Sequence, residues 1–172
     1  MQSKTIITVF VTSILFVGLI IWGTTQKGGT AASIQGALES GETQQGSLVA
    51  SETLYDFGTI SMANGMTNKI FKVTNSSDKD VKLVNIETSC MCTTAYIVNA
   101  GREKGPYGMP GHGGAITKTN EVIKAGESRD IKVVYDPNAH GPSGVGAVDR
   151  YVFLTDEAGG RIQLEIKAVV TP

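Results

Sequence analysis

The stretch that decides the fold class is Arg161-Ile162-Gln163-Leu164-Glu165-Ile166-Lys167-Ala168-Val169. Its apolar residues occupy every second position from 162 to 168, and polar residues fill the positions between them. Because successive side chains point to opposite faces of a β-strand, this alternation predicts a strand with one face in a core and the other in solvent.

Similar short runs, rich in β-branched and aromatic residues and separated by turn-forming residues, precede this strand. They lie at 54–60, 69–74, 81–86, 130–135 and 151–155. No segment from residue 51 onward shows a sustained helical period. The length of residues 51–172 suits a single domain. The pattern predicts an all-β fold, an immunoglobulin-like antiparallel β-sandwich over residues 51–172.

The N-terminal region has a different character, because residues 5–23 (TIITVFVTSILFVGLIIWG) contain no charged side chain. At about 1.5 Å per residue, this run is just long enough to cross a hydrocarbon core of about 30 Å. We therefore predict an N-terminal signal anchor, or transmembrane helix, within residues 1–23. A cleaved secretory signal is the alternative, although its apolar region is normally shorter. Both place the remaining chain outside the cytoplasm, either anchored to the cell membrane by a single pass or secreted.

Two segments are poor in large apolar residues. Residues 24–50 are rich in Gly, Thr, Ser, Gln and Ala, and we interpret them as a flexible linker. Residues 99–120 form a Gly-rich stretch, with six glycines between 101 and 114. Because this stretch offers too few apolar residues for a strand pair, we predict a long loop, which in a compact domain is functional or disordered.

Charge and motif content exclude several functions. The chain has 15 basic and 16 acidic residues and a net charge of −1, so it lacks the positive field expected of a nucleic-acid-binding protein. It contains no Gly-x-Ser-x-Gly elbow, no phosphate-binding glycine loop and no His-Glu-x-x-His motif. We expect a non-enzymatic binding or envelope-structural role, with a protein partner in the cell envelope and the membrane reached through the N-terminal helix.

The two cysteines, Cys90 and Cys92, are separated by one residue. In an extended strand their Cβ atoms would be about 6.5–7 Å apart, whereas a disulfide needs about 3.5–4.5 Å. Only a local bend would allow the bond, and the resulting small ring would be readily reduced. Three interpretations stay open at this point: core packing, a soft-metal site and a redox-active thiol pair.

Candidate metal ligands beyond the cysteines lie in the Gly-rich stretch. Thioether, imidazole and thiolate groups together suit Cu(I), so Cys90, Cys92, Met109 and His112 form the predicted ligand set for copper. The second histidine, His140, opens another Gly-rich turn. A methionine or histidine in a loop is commonly just a loop residue, and no second Cys or His pair gives a zinc motif.

An ordered set of motifs resembles the bacterial domain-of-unknown-function family 1573. The set consists of DFGTI at 56–60, FKVTN at 71–75, SCMCT at 89–93, KAGES at 124–128 and VVYDP at 133–137. The resemblance covers about residues 51–170. It implies an immunoglobulin-like sandwich, related to ciliary and centrosomal sandwich domains, in exported or anchored bacterial proteins, and it implies no established activity.

The chain departs from this family pattern at two places. Met91 replaces the usual glycine between the cysteines, and the stretch after Gly101 is longer than expected. A thioether beside two thiols, together with Met109 and His112 in the longer stretch, favours the copper hypothesis.

Overall fold

The computed structural model describes residues 46–172. The predicted membrane segment at 5–23 and the linker up to residue 45 lie outside the described residues. In the described part of the chain, no helix is both long enough and apolar enough to span a membrane.

The described residues form ten strands. They are β1 Leu48–Ala50, β2 Leu54–Ser61, β3 Thr67–Asn75, β4 Val81–Thr88, β5 Thr93–Asn99, β6 Arg102–Tyr107, β7 Lys118–Ile123, β8 Ser128–Tyr135, β9 Gly146–Asp156 and β10 Arg161–Thr171. Two short 3-10 helices, Met62–Asn64 and Gly141–Gly144, complete the regular structure of this part.

The strands form two five-stranded sheets, in the orders β1-β3-β8-β5-β6 and β2-β10-β9-β4-β7. The predicted all-β sandwich is therefore confirmed, but its description as wholly antiparallel is wrong for one pair. Strand β2 runs parallel to β10, with Leu54 beside Glu165 and Ser61 beside Thr171. Side-chain alternation is the same in both directions, so the sequence pattern could not reveal this pairing.

The core lies between the sheets. In β10, Ile162, Leu164, Ile166 and Ala168 are all at most 6% exposed, as the alternation predicts. They share the core with fully buried residues of the other sheet, namely Phe71, Val73, Ile131 and Val133. Burial of this many branched and aromatic side chains supplies the main stabilisation of the domain.

The boundaries of the domain differ from the prediction at its N-terminal side. Strand β1 lies in the segment assigned to the linker, and it pairs with β3 from Leu48 opposite Asn75 to Ala50 opposite Val73. Leu48 is 5% exposed, so the sandwich begins a few residues earlier than residue 51. The sequence signal was weak because this strand has only three residues.

The predicted loop at 99–120 is wrong for much of its length, since it contains β6 and the first part of β7. Strand β6 is an edge strand that pairs with β5 through a two-residue turn, in which Ala100 and Gly101 have φ of 49° and 75°. Positive φ at both positions is typical of a type I′ hairpin turn. Only Tyr107 of β6 is buried, so a count of apolar residues could not detect this strand. The irregular part shrinks to residues 108–117.

Candidate functional site

The cysteines lie in the tight turn between β4 and β5. The backbone N–H of Thr93 donates to the carbonyl of Cys90 at 3.1 Å, which closes the turn. The hydroxyl of Thr88, the last residue of β4, lies 3.0 Å from the carbonyl oxygens of both Cys90 and Thr93. Ser89 attaches the turn to β9, because its N–H donates to the carbonyl of Tyr151 and its hydroxyl accepts from the Tyr151 N–H, both at 2.9 Å.

This turn joins Cys90 and Cys92 in a disulfide, with their Cα atoms 5.2 Å apart. In an extended strand, residues two apart are separated by about 6.6 Å, so the turn supplies the bend that the bond requires. The two ends of the disulfide have different surroundings: Cys92 is 2% exposed, whereas Cys90 is only half-buried. One interpretation left open by the sequence was that two free thiols pack in the core. The structure instead has the two cysteines bonded to each other at the edge of the core.

The segment after β8 brings a histidine to the accessible sulfur. The N–H of Asp136 donates to the carbonyl of Cys92 at 2.9 Å, and the Asp136 carboxylate accepts from the N–H of Asn138 at 2.8 Å. These bonds turn the chain so that Nε2 of the exposed His140 lies 3.1 Å from Sγ of Cys90. A histidine 50 residues away in sequence thus lies within hydrogen-bond distance of the half-buried sulfur.

Strand β9 brings a positive charge to the other sulfur. The Nε–H of Arg150 donates to Sγ of Cys92 at 3.2 Å, and its Nη1 donates to the carbonyl of Asp149 at 2.8 Å. Tyr135 lies close by: burial raises the pKa of its phenol above the ordinary 10.0, while the positive charge of Arg150 acts in the opposite direction. The guanidinium is therefore held beside a buried sulfur, where its charge is weakly screened.

Together these contacts place the disulfide between an imidazole and a guanidinium. Sγ of Cys90, Sγ of Cys92 and a ring nitrogen of His140 all lie within 4.8 Å of one another. On reduction, a nearby cation such as the Arg150 guanidinium stabilises a thiolate, which is the nucleophilic and metal-binding form of cysteine. The arrangement can therefore support thiol–disulfide exchange or, when reduced, coordination of a soft metal ion.

The structure places Met109 and His112 elsewhere. Both line a cleft of about 300 Å³ together with Met91, Tyr107 and Ile116. Among residues 46–172, the histidine grouped with the two sulfurs is His140, and His112 is not a member of that group. In the sequence, His140 stands out only as the start of a turn and Arg150 carries no signal, because no local pattern links either residue to the cysteines.

Other residues of the recognised motifs hold the fold rather than the site. Asn75 is fully buried at the end of β3, and its Nδ2 donates to the carbonyls of Lys79 at 2.7 Å and Ile123 at 2.9 Å. Its Oδ1 accepts from the N–H of Ser77 at 3.0 Å. Because Ile123 belongs to β7, this side chain ties the end of one sheet to the other.

Comparison with solved structures finds the same type of fold. A protein of unknown function from Porphyromonas gingivalis W83 superposes with a TM-score of 0.53 at 16% identity, over 76% of this chain and 50% of that one. This chain thus spans about half the length of that protein. The secreted serine protease VesC of Vibrio cholerae gives a TM-score of 0.46 at 16% identity, over 76% of this chain and 25% of that one.

A third structure is the ASH/PapD-like domain 7 of human CEP192, with a TM-score of 0.45 and 10% identity over 83% of this chain and 98% of that domain. At such identities the likeness concerns the fold alone. No curated protein sequence matches the chain.

At the level of sequence, the model of a family described as "Protein of unknown function (DUF1573)" matches residues 48–108. The matched part runs from β1 through β6 and contains the motifs at 56–60, 71–75 and 89–93. The predicted resemblance to the DUF1573 family is therefore confirmed over residues 48–108, the part of the chain that carries the cysteine turn.

Proposed function

We propose that residues 46–172 form the extracytoplasmic, immunoglobulin-like domain of a protein anchored in the cell membrane by the apolar segment 5–23. Two independent features support this location. The segment has the length and composition of a membrane anchor. A disulfide at Cys90–Cys92 is expected more in an oxidising compartment outside the cytoplasm than inside it, where thiols are kept reduced.

The location is tested by expressing the full chain in a bacterial host, separating membrane and soluble fractions, and alkylating thiols before lysis. The expected result is a membrane-bound chain of uncleaved mass with no alkylated cysteine. A smaller, soluble exported chain would show a cleaved signal, and a cytoplasmic chain with alkylated cysteines would contradict the proposal.

Within this domain, the geometry best supports thiol–disulfide exchange at Cys90–Cys92. The observation that carries the proposal is the asymmetric disulfide: the half-buried Cys90 sulfur lies beside His140, and the buried Cys92 sulfur accepts a hydrogen bond from Arg150. An incoming thiolate would attack the accessible sulfur, since attack must follow the line of the S–S bond from the open side. The buried sulfur would then be the leaving group, and its negative charge would form beside the guanidinium.

The overall reaction balances with a dithiol as substrate. Its first thiolate forms a mixed disulfide with Cys90, while the Cys90–Cys92 bond breaks and its electron pair remains on Cys92. Its second thiolate then attacks the substrate sulfur of the mixed disulfide and releases the Cys90 thiolate, to which the His140 imidazole can donate a hydrogen bond. The dithiol leaves as a disulfide, and the domain retains two reduced sulfurs.

This function is tested with the oxidised full chain in detergent. The chain is mixed with a model dithiol, and free thiols are trapped by alkylation at intervals and counted by intact mass. The expected result is reduction of the folded chain and appearance of an equal amount of oxidised dithiol. If the disulfide stays intact until the chain unfolds, the proposed thiol–disulfide exchange is contradicted. The Cys90–Cys92 bond would then be a structural crosslink.

The competing proposal is a non-enzymatic binding or envelope-structural role, and the cleft favours it. Met91 and Ile116 are 55% and 51% exposed at its surface, where apolar side chains commonly mark contact sites. The double variant Cys90→Ser/Cys92→Ser distinguishes the two roles. Capture of an envelope protein by photocrosslinking from position 116 should survive this change if the role is binding alone, whereas exchange activity must disappear.

A further inference from the structure

We propose that the reduced form of the cysteine turn binds one Cu(I) ion through Sγ of Cys90, Sγ of Cys92 and Nε2 of His140. This inference goes beyond exchange, because it needs only that the disulfide can be reduced and not that the domain turns over a substrate. It also replaces Met109 and His112, which the sequence suggested, with a histidine that the fold brings to the sulfurs.

The spacing of the three candidate ligand atoms suits a metal ion bound between them. A metal ion at about 2.3 Å from sulfur ligands arranged around it in a plane holds those ligands about 4 Å apart. The three candidate ligand atoms already lie within 4.8 Å of one another. Opening the disulfide lets the two sulfurs separate, and the 3.1 Å between Nε2 and Sγ of Cys90 needs to lengthen by less than an ångström. Since His140 is an exposed side chain on a turn, that adjustment requires no change in the core.

Charge decides which ion the site prefers. Two thiolates contribute −2 and Arg150, bonded to the Cys92 sulfur, contributes +1. A monovalent cation brings the sum to zero, whereas a divalent cation leaves an excess positive charge beside a sulfur that is 2% exposed. Uncompensated charge in a poorly solvated place is costly. Soft thiolate ligands independently favour Cu(I), so ligand type and charge agree.

The chemistry balances without redox change at the metal. Reduction of Cys90–Cys92 consumes two electrons and two protons, which a dithiol supplies as it is oxidised to its own disulfide. Binding of Cu(I) then displaces the two thiol protons, and copper remains in the monovalent state. The oxidised chain has no thiolate to offer, so binding should depend strictly on reduction.

The experiment uses the full chain in detergent, reduced anaerobically with a phosphine that is then removed. Cu(I) is added in competition with a chromophoric Cu(I) chelator, and stoichiometry is read from absorbance and native mass. We expect one Cu(I) per reduced chain and none on the oxidised chain. His140→Ala and His140→Gln should each weaken binding by at least about tenfold. Cys90→Ser should abolish it, and Zn²⁺ should bind more weakly than Cu(I).

The matched control is His112→Ala, which removes the other histidine of the chain from an exposed turn and should leave the affinity unchanged. The proposal is overturned if the folded chain cannot be reduced, if the reduced chain binds no Cu(I), or if His112→Ala weakens binding as much as His140→Ala. Circular dichroism of each variant shows that a loss is not caused by unfolding. Exchange and copper binding are measured separately, so the failure of one is distinguishable from the failure of the other.

Discussion

Arg150 in β9 donates a hydrogen bond from Nε to Sγ of Cys92 at 3.2 Å, across 58 positions of sequence. The contact joins the second sheet to the turn that leads into the first sheet, so packing of the two sheets determines the electrostatic surroundings of the disulfide. A cation beside a buried sulfur favours the thiolate that reduction produces, and the contact therefore links the fold to the chemistry of the site.

The first prediction concerns this contact. Arg150→Gln removes the positive charge, so the reduced form should become less favourable relative to the disulfide by about tenfold, or about 1.4 kcal/mol. The measurement is the equilibrium between the full chain and a reference dithiol, with thiols counted after alkylation.

Two variants control this measurement. Arg150→Lys keeps the charge without the planar donor group and should give an intermediate value. Arg161→Gln, on β10, removes a cation that lies 4.0 Å from the ring centroid of Phe153 and should leave the equilibrium unchanged. If Arg150→Gln and wild type have the same equilibrium constant with the reference dithiol, the guanidinium does not influence the Cys92 sulfur.

A second prediction tests the role of Asn75 in joining the sheets. Asn75→Ala removes the buried hydrogen bond to the carbonyl of Ile123 and the part-buried one to the carbonyl of Lys79. We expect a loss of about 2–3 kcal/mol in the free energy of unfolding, measured by urea denaturation. Asn68→Ala, at an exposed position of the same strand, should change stability by less than about 0.5 kcal/mol. Equal effects of the two substitutions would refute a structural role for the buried amide.

The third prediction tests the alternation of apolar residues that indicates the fold. Leu164 is 1% exposed in β10, and Leu164→Ala should destabilise the domain by about 2–5 kcal/mol because it leaves a cavity between the sheets. Val169→Ala, in the same strand but 49% exposed, should cost much less. The measurement is the urea midpoint of each variant. A larger loss of stability for Val169→Ala than for Leu164→Ala would contradict the assignment of the core face of β10.

The fourth prediction concerns acid stability. A hydrogen bond from the backbone N–H of Lys124, with a smaller contribution from Arg129, lowers the pKa of Glu127 below its ordinary 4.5. Because the carboxylate is favoured in the folded state, Glu127 stabilises the domain above pH 4.5, and this contribution is lost as the pH falls through the lowered pKa. The stability difference between wild type and Glu127→Gln should therefore be present near pH 7 and shrink towards about pH 3.

The control for this pH dependence is Glu157→Gln. Within residues 46–172 the Glu157 carboxylate forms no ion pair or hydrogen bond, so this substitution should leave the pH profile of stability unchanged. If the stability difference between wild type and Glu127→Gln is the same at both pH values, ionisation of Glu127 does not contribute to stability.

Local sequence accounts for much of the sandwich. Strands β2, β3, β4, β8, β9 and β10 all contain runs that the alternation or β-branched content identified. Strand β6 escaped detection because an edge strand buries almost nothing, and its presence depends on the turn at Ala100 and Gly101 and on pairing with β5. Position 85 shows the same limit: a bulge in β4 leaves both Asn85 and Ile86 buried, which simple alternation forbids.

The amino-acid sequence is enough to predict the all-β class, the family resemblance over about residues 51–170, and the two cysteines as the candidate site; a family model matches residues 48–108. These features are local, since alternation, turn residues and a Cys-x-Cys spacing can each be seen within a few positions. The bend that allows a disulfide in the cysteine turn, and the positions of His140 and Arg150 beside its two sulfurs, come from contacts between distant segments. Those neighbours come from segments 50 and 58 positions away, and they meet the sulfurs because the paired strands and the packed sheets hold them there.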